Sequence, residues 1–508
     1  MSSSSGTLLP GAPAAASSLT LRALGTTSPT QHQPVRAPCT LQPVPVTSPV
    51  ILAALPGQPE RASVIGDSPA LLASGLAATC LTAAATASRG RRRNWRRRAA
   101  VKTLGAEGQL TKSGGQGYVN LTGFPFPLGP IFERRTVRRE VGDGIWTFEQ
   151  EQSLANISVN VRMTAIRLDC GGLWVHNPVA PTEECMQLLR ELDLPVRYIV
   201  LGSAQYEHKI FVGPFSRRWP EAKVYIVPQQ WSWPFDLPSQ LYGIFADGEL
   251  KDGDLDTPWA QEIDQKLLCP EQRLGFGYSA AECAFFHRKS KTMICTDALV
   301  YVPEEPPAVL DRNDLTYLGQ NRDNIVLDLV ALTNWRGSGE VVREAQRSDV
   351  APASSPASEA DLMRKGWQRD ALLALYFGPD GRSIVEPEEA FRAISGRWLV
   401  GPVCYSLVYS GLIRQDVCDW ADRICEWDIQ QILPCHFAGP VRGNSDDVRR
   451  AFEVLKKADD KENETQAPSD TPMWLPWPFS QPEPIKYRPQ DIQLLSDLRG
   501  ILKTLRVI

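Results

Sequence analysis

The 508-residue sequence lacks several patterns that would assign a function directly. It has no Cys-x-x-Cys pair, no Gly-x-Gly-x-x-Gly or P-loop phosphate motif, and no Gly-x-Ser-x-Gly elbow around Ser203. These absences exclude a zinc ribbon and leave both nucleotide-dependent chemistry and a serine hydrolase without support. The 11 cysteines have no regular spacing and most lie in apolar runs, which indicates buried thiols in a reducing compartment.

Acidic residues are scarce in the first 103 residues, where 11 Lys/Arg stand against only Glu60 and Asp67. The segment is rich in Ser, Thr, Ala and Pro, and it ends in an arginine cluster at residues 89–98. This composition is typical of an organellar transit peptide, so we interpret residues 1–103 as a disordered plastid targeting leader. The cluster also fits a nuclear-localisation or nucleic-acid patch. Residues 69–87 are too weakly apolar to predict a membrane span.

The rest of the chain has fewer basic than acidic residues, with 43 Lys/Arg against 56 Asp/Glu, and so carries a net negative charge. A domain with a net negative charge repels nucleic-acid phosphates and anionic membranes, so neither is an expected partner. A small-molecule ligand or a protein partner is expected instead, and the expected location is the chloroplast stroma. With 43% hydrophobic residues overall, the chain has ample material for a soluble globular core.

Apolar runs alternate with helical patterns from about residue 124, as they do in a packed α/β domain. Two hairpins are predicted, at residues 159–176 and 283–296, and short strands at residues 197–201, 224–227 and 432–437. The expected organisation is an N-terminal extension at 104–139, an α/β domain at 140–457 with an insertion near 345–360, a linker at 458–488 and a C-terminal helix at 489–508. Trp231, Trp233, Trp474 and Trp477 lie among prolines and are expected to cover the core.

Histidine is rare, with five residues in the chain. His208 and His436 directly follow apolar strands, as does Asp297, and three such ligands at strand ends are a recurring way to build a metal pocket. A single loop histidine is more often a structural residue. His287 lies at a hairpin turn and is expected to be solvated, whereas His176 ends a strand and is a candidate pocket residue.

The order of these residues resembles the metallo-β-lactamase superfamily, whose first motif is His-x-His-x-Asp-His. Residues 203–208 occupy this motif here: Ser203 and Gln205 stand in place of its first two histidines, and Glu207 and His208 in place of its acid and last histidine. The superfamily's Gly-His-Thr turn should fall near residues 275–279, and no histidine is there. The resemblance implies an αββα sandwich, that is, a mixed α/β (α+β) fold with four layers.

The missing histidines all belong to one of the superfamily's two metals, so the resemblance implies a site for at most one. Its ligands would be His208, Asp297 and His436, with Glu207 as a further ligand or as the catalytic base. Zn, Fe and Mn all accept this set of ligands, so the set does not identify the metal. The alternative is a protein of the same fold that binds no metal.

Longer motifs resemble a narrower family, domain of unknown function 4336, which occurs in plants, algae and bacteria. The motifs that carry this resemblance are residues 172–178, 207–211, 285–292 and 434–437, and they cover roughly residues 140–455. The leading hypothesis is a plastid metallo-hydrolase with a degenerate, single-metal site. The alternatives are a non-catalytic binding or assembly protein on the same fold, and an iron redox protein.

Overall fold

The structure is a computed structural model of the chain, and it describes residues 134–154, 157–230, 236–274, 277–333, 337–348, 358–409, 411–463 and 486–504. The predicted targeting leader, the four proline-flanked tryptophans, and most of the predicted extension and linker lie outside these residues.

The larger sheet has seven strands that lie side by side in chain order. Its first four strands are antiparallel to their neighbours, and the pairs from β4 to β7 are parallel. The strands are β1 (Thr136–Gly142), β2 (Ile145–Leu154), β3 (Ile157–Arg167), β4 (Leu173–His176), β5 (Val196–Leu201), β6 (Lys223–Ile226) and β7 (Gly248–Glu249). The β3–β4 pair is the hairpin predicted from the sequence.

The smaller sheet has five strands in the order β14-β13-β10-β9-β8. Its strands, with the separate β11–β12 pair, are β8 (Ile263–Leu268), β9 (Glu282–His287), β10 (Thr292–Ile294), β11 (Val300–Tyr301), β12 (Trp398–Leu399), β13 (Gln431–Leu433) and β14 (Val441–Arg442). The β9–β10 hairpin confirms the second sequence prediction. The β10–β13 pair is parallel, so the chain leaves both strands at the same edge of the sheet.

Helices flank the two sheets or extend from them. They are α1 (Glu183–Arg190), α2 (Tyr206–Lys209), α3 (Val212–Ser216), α4 (Arg312–Gly319), α5 (Ile325–Thr333), α6 (Ser338–Ser348), α7 (Glu359–Tyr376), α8 (Gly381–Val385), α9 (Glu388–Ile394), α10 (Arg414–Ile424), α11 (Ser445–Asn463) and α12 (Gln493–Thr504). The sequence explains where α1 starts, because the Thr182 side chain caps the helix by accepting the Cys185 N–H and two acids follow in the first turn. None of the helices in the described part of the chain combines the length and the apolar composition that a membrane crossing requires.

The two sheets pack face to face through a largely apolar layer. Trp174 and Val200 of the larger sheet meet Phe285 and Leu433 of the smaller one in a single buried cluster. The outer face of the larger sheet packs on α1 and α3, and the outer face of the smaller sheet packs on α10 and α11. The layer order is therefore helix, sheet, sheet, helix, which confirms the predicted αββα sandwich.

Between β11 and β12 the chain inserts the helices α4 to α9, which have apolar clusters of their own. The long helix α7 packs against α4 so closely that a Cβ at Gly319 or Gly366 would lie 1.9 or 1.8 Å from a carbonyl oxygen. Only glycine permits this approach of two helix backbones. Ser158, at the start of β3, donates its N–H to Asp370 of α7, so this insertion is anchored to the larger sheet.

Element bounds differ in places from the expected divisions. The larger sheet starts at Thr136, within the predicted extension, and α11 continues to Asn463, past residue 457. The last helix, α12, lies within the predicted C-terminal segment.

A buried ion pair ties the larger sheet to the chain segment after β13. Arg162 and Glu149 lie on neighbouring strands 3.1 Å apart, with side chains 1% and 2% exposed. The Arg162 guanidinium also donates to the carbonyl oxygens of Pro434 and Phe437. Because these two residues flank His436, Arg162 fixes the path of the backbone that carries this histidine.

We expect Arg162→Met to destabilise the protein by about 3–5 kcal/mol, because it leaves the buried Glu149 carboxylate without its cation. The measurement is the free energy of unfolding in urea. Arg167→Met is the matched control, since the Arg167–Asp143 pair has side chains 45% and 70% exposed and should contribute less than about 1 kcal/mol. Equal effects of the two substitutions would contradict the structural role of Arg162.

Candidate metal centre

Three strand ends meet at one rim of the sandwich. Asp297 follows β10 and His436 follows β13, and the parallel pairing of these strands brings the two side chains together. The loop after β5 comes from the other sheet, and Ser203 in this loop forms a β-bridge with Glu282 of β9. This bridge places α2, with Glu207 and His208, against the smaller sheet.

The structure brings together all four side chains proposed as metal ligands from the sequence. His208 Nε2 lies 3.3 Å from Asp297 Oδ1 and 3.2 Å from His436 Nε2. His436 Nε2 lies 3.1 Å from the same Asp297 oxygen. One ligand atom of Glu207 completes the group, whose members all lie within 4.8 Å of one another. Three atoms thus form a nearly equilateral triangle, and Glu207 stands beside it.

The members of the group differ in their exposure to solvent. The His208 side chain is fully buried, whereas the side chains of His436 and Asp297 are 12% and 15% exposed. Glu207 is half-buried. The group is therefore largely but not completely enclosed by the protein.

Hydrogen bonding orients the His436 ring for metal binding. Its Nδ1 lies 2.9 Å from the carbonyl oxygen of Asn160, which can only accept, so Nδ1 carries the proton. Nε2, which faces the cluster, is then free of a proton in the neutral ring. A backbone carbonyl in this place is the usual partner of a metal-binding histidine. Within the described residues, Asp297 Oδ2 is buried and has no hydrogen-bond partner.

The spacing of the triangle fits one shared ion. Ligand atoms about 2.0–2.2 Å from a tetrahedral or octahedral ion lie roughly 3.0–3.5 Å from one another. Two bare imidazole nitrogens 3.2 Å apart repel each other unless a cation or a proton lies between them. Two imidazoles and one carboxylate form a donor set that Zn, Fe and Mn all accept.

The electrostatics of the cluster favour a charged carboxylate. Burial raises the pKa of Asp297, but the adjacent His208 and His436 rings outweigh it and hold this pKa below its ordinary value. Burial lowers the pKa of His436, and the hydrogen bond to Asp297 outweighs that effect and raises it. Both shifts favour the charged form of the group concerned.

Glu282 positions the loop that carries Asp297, and sequence reasoning missed it. Its buried carboxylate accepts the backbone N–H groups of Thr296 at 2.8 Å, Asp297 at 3.2 Å and Ala298 at 3.1 Å. Burial and the charge of Asp297 raise the pKa of Glu282 to about 8, and the three N–H groups oppose this rise. The available signal was an acid in the apolar run of residues 282–286, where a charge needs a specific partner.

Asn177 connects all three ligand-bearing loops. Its Oδ1 accepts the Gly202 N–H at 2.8 Å, and its Nδ2 lies 2.9 Å from Thr296 Oγ1 and 3.3 Å from Cys435 Sγ. Gly202 begins the loop to His208, and the other two partners directly precede Asp297 and His436. The backbone of Asn177 is left-handed, with φ of 46°, a conformation that asparagine adopts more readily than most residues.

His176, the candidate pocket residue, lies outside the ligand group. It is fully buried and stacks on Trp174, with ring centroids 5.7 Å apart. Burial and the nearby His208 lower its pKa to about 3, so the ring is neutral. A Cβ at Gly202 would lie 2.3 Å from His176 Nε2, so this ring packs directly behind the loop that leads to His208.

The expectation that His287 is solvated is wrong. It is 4% exposed, and its Nδ1 lies 2.7 Å from Ser290 Oγ. The physical reason is that His287 still belongs to β9, where it pairs with Thr292 on one side and Ile263 on the other.

Ser203 and Gln205, in place of the first two motif histidines, make hydrogen bonds within the protein. Ser203 is buried, and its Oγ accepts the Gln205 N–H at 3.1 Å. The Gln205 side-chain oxygen accepts the Tyr278 hydroxyl at 2.7 Å. Tyr278 lies in the stretch where the resemblance places the Gly-His-Thr turn.

The family comparison agrees with the motifs read from the sequence. The family described as "Domain of unknown function (DUF4336)" matches residues 142–394 and 385–454. The chain belongs to this family. No curated protein matches the chain.

Solved structures show distant similarities. The chain is 9% identical to the metal-soaked Flv1 flavodiiron core from Synechocystis sp. PCC6803, over 64% of this chain and 62% of that one, with a TM-score of 0.34. It is 11% identical to the flavodiiron protein from Giardia intestinalis, over 64% and 60%, with a TM-score of 0.35. For a metallo-β-lactamase from Pontibacter korlensis the identity is 12%, the coverage 45% and 96%, and the TM-score 0.26.

We expect Asn177→Gly to weaken metal binding by about 10- to 100-fold, as the loss of residues that orient ligands typically does. Glycine keeps the left-handed backbone and removes all three side-chain hydrogen bonds. The measurement is competition for Zn²⁺ with a chelating dye.

Asp193→Gly is the control for Asn177→Gly, because Asp193 is also left-handed, with φ of 52°, and is exposed. It should leave the affinity unchanged. An unchanged affinity in both variants would show that Asn177 does not organise the ligands.

Proposed function

We propose that this chain is a plastid protein that binds one divalent metal ion through His208, Asp297 and His436 and hydrolyses a small-molecule substrate. The observation that carries the proposal is the triangle of ligand atoms at 3.1–3.3 Å with a half-buried carboxylate beside it. The acid-poor, arginine-rich residues 1–103 support the plastid location.

The number of close ligands supports catalysis over a structural role. Structural zinc sites use four protein ligands, whereas catalytic sites use three and leave a position for water. The two histidines and Asp297 supply three, and the partial exposure of His436 and Asp297 agrees with a water molecule in the remaining position. When bound, a divalent ion would supply Lewis acidity that lowers the pKa of a water molecule to near 7.

Glu207 is the proposed general base. It directly precedes His208 on the short helix α2, so the same turn carries both residues. Its carboxylate is half-buried and has an oxygen within 4.8 Å of the other three ligand atoms, so it can take a proton from a water molecule there and later return it to the leaving group. Asn160, Glu282 and Asn177 do no chemistry themselves, and they hold the ligand-bearing loops in place.

One observation favours the second candidate function, a metal-free binding pocket. The contacts of Asp297 with His208 and His436 are also those of an ion pair between one carboxylate and two histidines. If the Asp297 carboxylate and the two histidines only neutralise one another's charge, the pocket needs no metal ion. The metal content of the purified protein decides between the two candidates.

We expect the full-length protein to contain about one metal ion per chain, and His208→Ala and Asp297→Ala to lose it, because each removes one of three close ligands. Elemental mass spectrometry measures the content and identifies the metal. His287→Ala is the control, since it removes a buried histidine outside the cluster. Absence of metal in the wild-type protein, with an intact fold by circular dichroism, would support the metal-free pocket.

We expect Glu207→Gln to lower kcat for hydrolysis by roughly 10²- to 10⁴-fold while the metal content stays at that of the wild type. Glutamine keeps the shape of the side chain and cannot accept the proton. The control is Glu426→Gln at a surface ion pair, where the Glu426 side chain is 69% exposed. Parallel loss of metal and activity would instead make Glu207 a ligand.

A further inference from the structure

The helical insertion, α4 to α9, begins and ends beside the metal-ligand cluster. It follows β11, which starts three residues after Asp297. After β12 the chain returns to Cys404, whose Sγ lies 3.9 Å from the carbonyl oxygen of Asp297. Ala438, two residues after His436, donates its N–H to the carbonyl oxygen of Tyr301 in β11 at 3.0 Å. The loops that carry two of the three close ligands are therefore joined to the base of the insertion.

Phe437, the residue directly after His436, packs inside the insertion. It is 3% exposed and belongs to the apolar cluster that the insertion forms with β11 and β12. The centroid of its ring lies 6.1 Å from that of Trp367 in α7. Trp367 is itself fully buried, and its indole N–H donates to the carbonyl oxygen of Pro303 at 3.0 Å. One side chain thus connects the long helix of the insertion with the backbone beside a proposed metal ligand.

The backbone of Phe437 is left-handed, with φ of 55°, a conformation that is unfavourable for a bulky side chain. Asn160 holds this conformation, because its Oδ1 accepts the Phe437 N–H at 2.7 Å and its Nδ2 donates to the Phe437 carbonyl oxygen at 3.0 Å. The carbonyl oxygen of the same asparagine lies 2.9 Å from His436 Nδ1 and accepts its proton. A change in the Phe437 backbone therefore changes the position of His436 relative to the carbonyl that orients its ring.

The side chain at position 437 goes beyond what the turn requires. Glycine adopts a positive φ without steric cost, so it would satisfy the backbone alone. A bulky residue keeps this conformation only where the surrounding contacts over-determine it, and such residues concentrate at functional sites. Here the larger sheet holds the backbone of Phe437 through Asn160, and the insertion holds its ring through Trp367. The phenylalanine adds a link between the two.

We propose that Phe437 is a positioning residue through which the helical insertion sets the metal affinity of the cluster. The packing of Trp367 on its ring keeps the left-handed turn, and this turn directs His436 Nε2 into the cluster. Without that packing the backbone relaxes toward the negative φ that a bulky residue prefers, and the His436 ring turns away. The inference rests on the proposed metal binding and adds the regulation of the same site, because any event that loosens α7 lowers the metal affinity.

Competition with a chelating dye measures the Zn²⁺ affinity of the full-length wild type, of Trp367→Phe, of Phe437→Leu and of the double variant. We expect each single substitution to weaken binding by about tenfold, the lower end of the usual effect of groups that orient a ligand. The double variant should bind no more weakly than Phe437→Leu alone, since both changes act through one contact. Unchanged affinity in the single variants, or a double variant weakened by about 100-fold as for independent sites, would overturn the inference.

Trp420→Phe is the matched control at the outer face of the smaller sheet. Trp420 is also fully buried, its indole N–H donates to the Lys266 carbonyl oxygen at 2.9 Å, and its ring centroid lies 6.3 Å from that of Phe452. We expect this substitution to lower the melting temperature about as much as Trp367→Phe does and to leave the Zn²⁺ affinity unchanged. An equal loss of affinity in both variants would mean general destabilisation and would contradict the positioning role.

NMR of the metal-free protein with isotope-labelled histidine tests the positioning without an ion. The readout is the Nδ1–H signal of His436, assigned by its loss in His436→Gln. We expect Trp367→Phe to shift this signal, because the hydrogen bond to Asn160 changes, and Trp420→Phe to leave it in place. An unchanged signal in Trp367→Phe overturns this inference even where the wild type binds Zn²⁺. A wild type that binds no Zn²⁺ contradicts the proposed metal site instead, and the His436 signal then still decides whether the insertion positions this ring.

Discussion

The apolar layer between the two sheets is the constraint on which the candidate site depends. Side chains such as Trp174, Phe285 and Leu433 each gain about 1.5–3 kcal/mol when they leave water. Their burial fixes the two sheets face to face, and the ends of β5, β10 and β13 then meet at one rim. His208, Asp297 and His436 are neighbours because the strands that precede them are packed this way.

Polar groups at this rim lie beside the apolar layer, where each needs a partner. Arg162 with Glu149, Glu282 with three backbone N–H groups, and Asn177 with three loops provide most of these partners. Each also touches a residue next to a ligand, so the bonds that satisfy buried groups hold the ligands as well. The left-handed Asn177 shows that the chain accepts a local backbone cost at this place, as functional sites often do.

The cluster keeps atoms that the rest of the structure does not satisfy. Asp297 Oδ2 and His208 Nδ1 are buried and have no hydrogen-bond partner in the described part of the chain. A buried network that served stability alone would pair these atoms. In contrast, Gln205 is hydrogen-bonded to both Ser203 and Tyr278, so the polar groups at these motif positions have partners within the protein.

The sequence by itself determined the two hairpins, three further strands and three candidate ligands, because apolar periodicity and residues directly after strands are local signals. The fourth, Glu207, came from the resemblance of residues 203–208 to a metal-binding motif. The motifs also determined the family. It did not reveal Glu282, Asn177, Arg162 or Tyr278, and it misplaced His287, because most of their roles depend on partners far away along the chain, up to 275 residues for Arg162. Only the tertiary structure decided that the four ligands converge, that His176 lies behind them, and that Tyr278 contacts Gln205. The packing of the two sheets sets the distances between these residues, and no local sequence pattern contains that information.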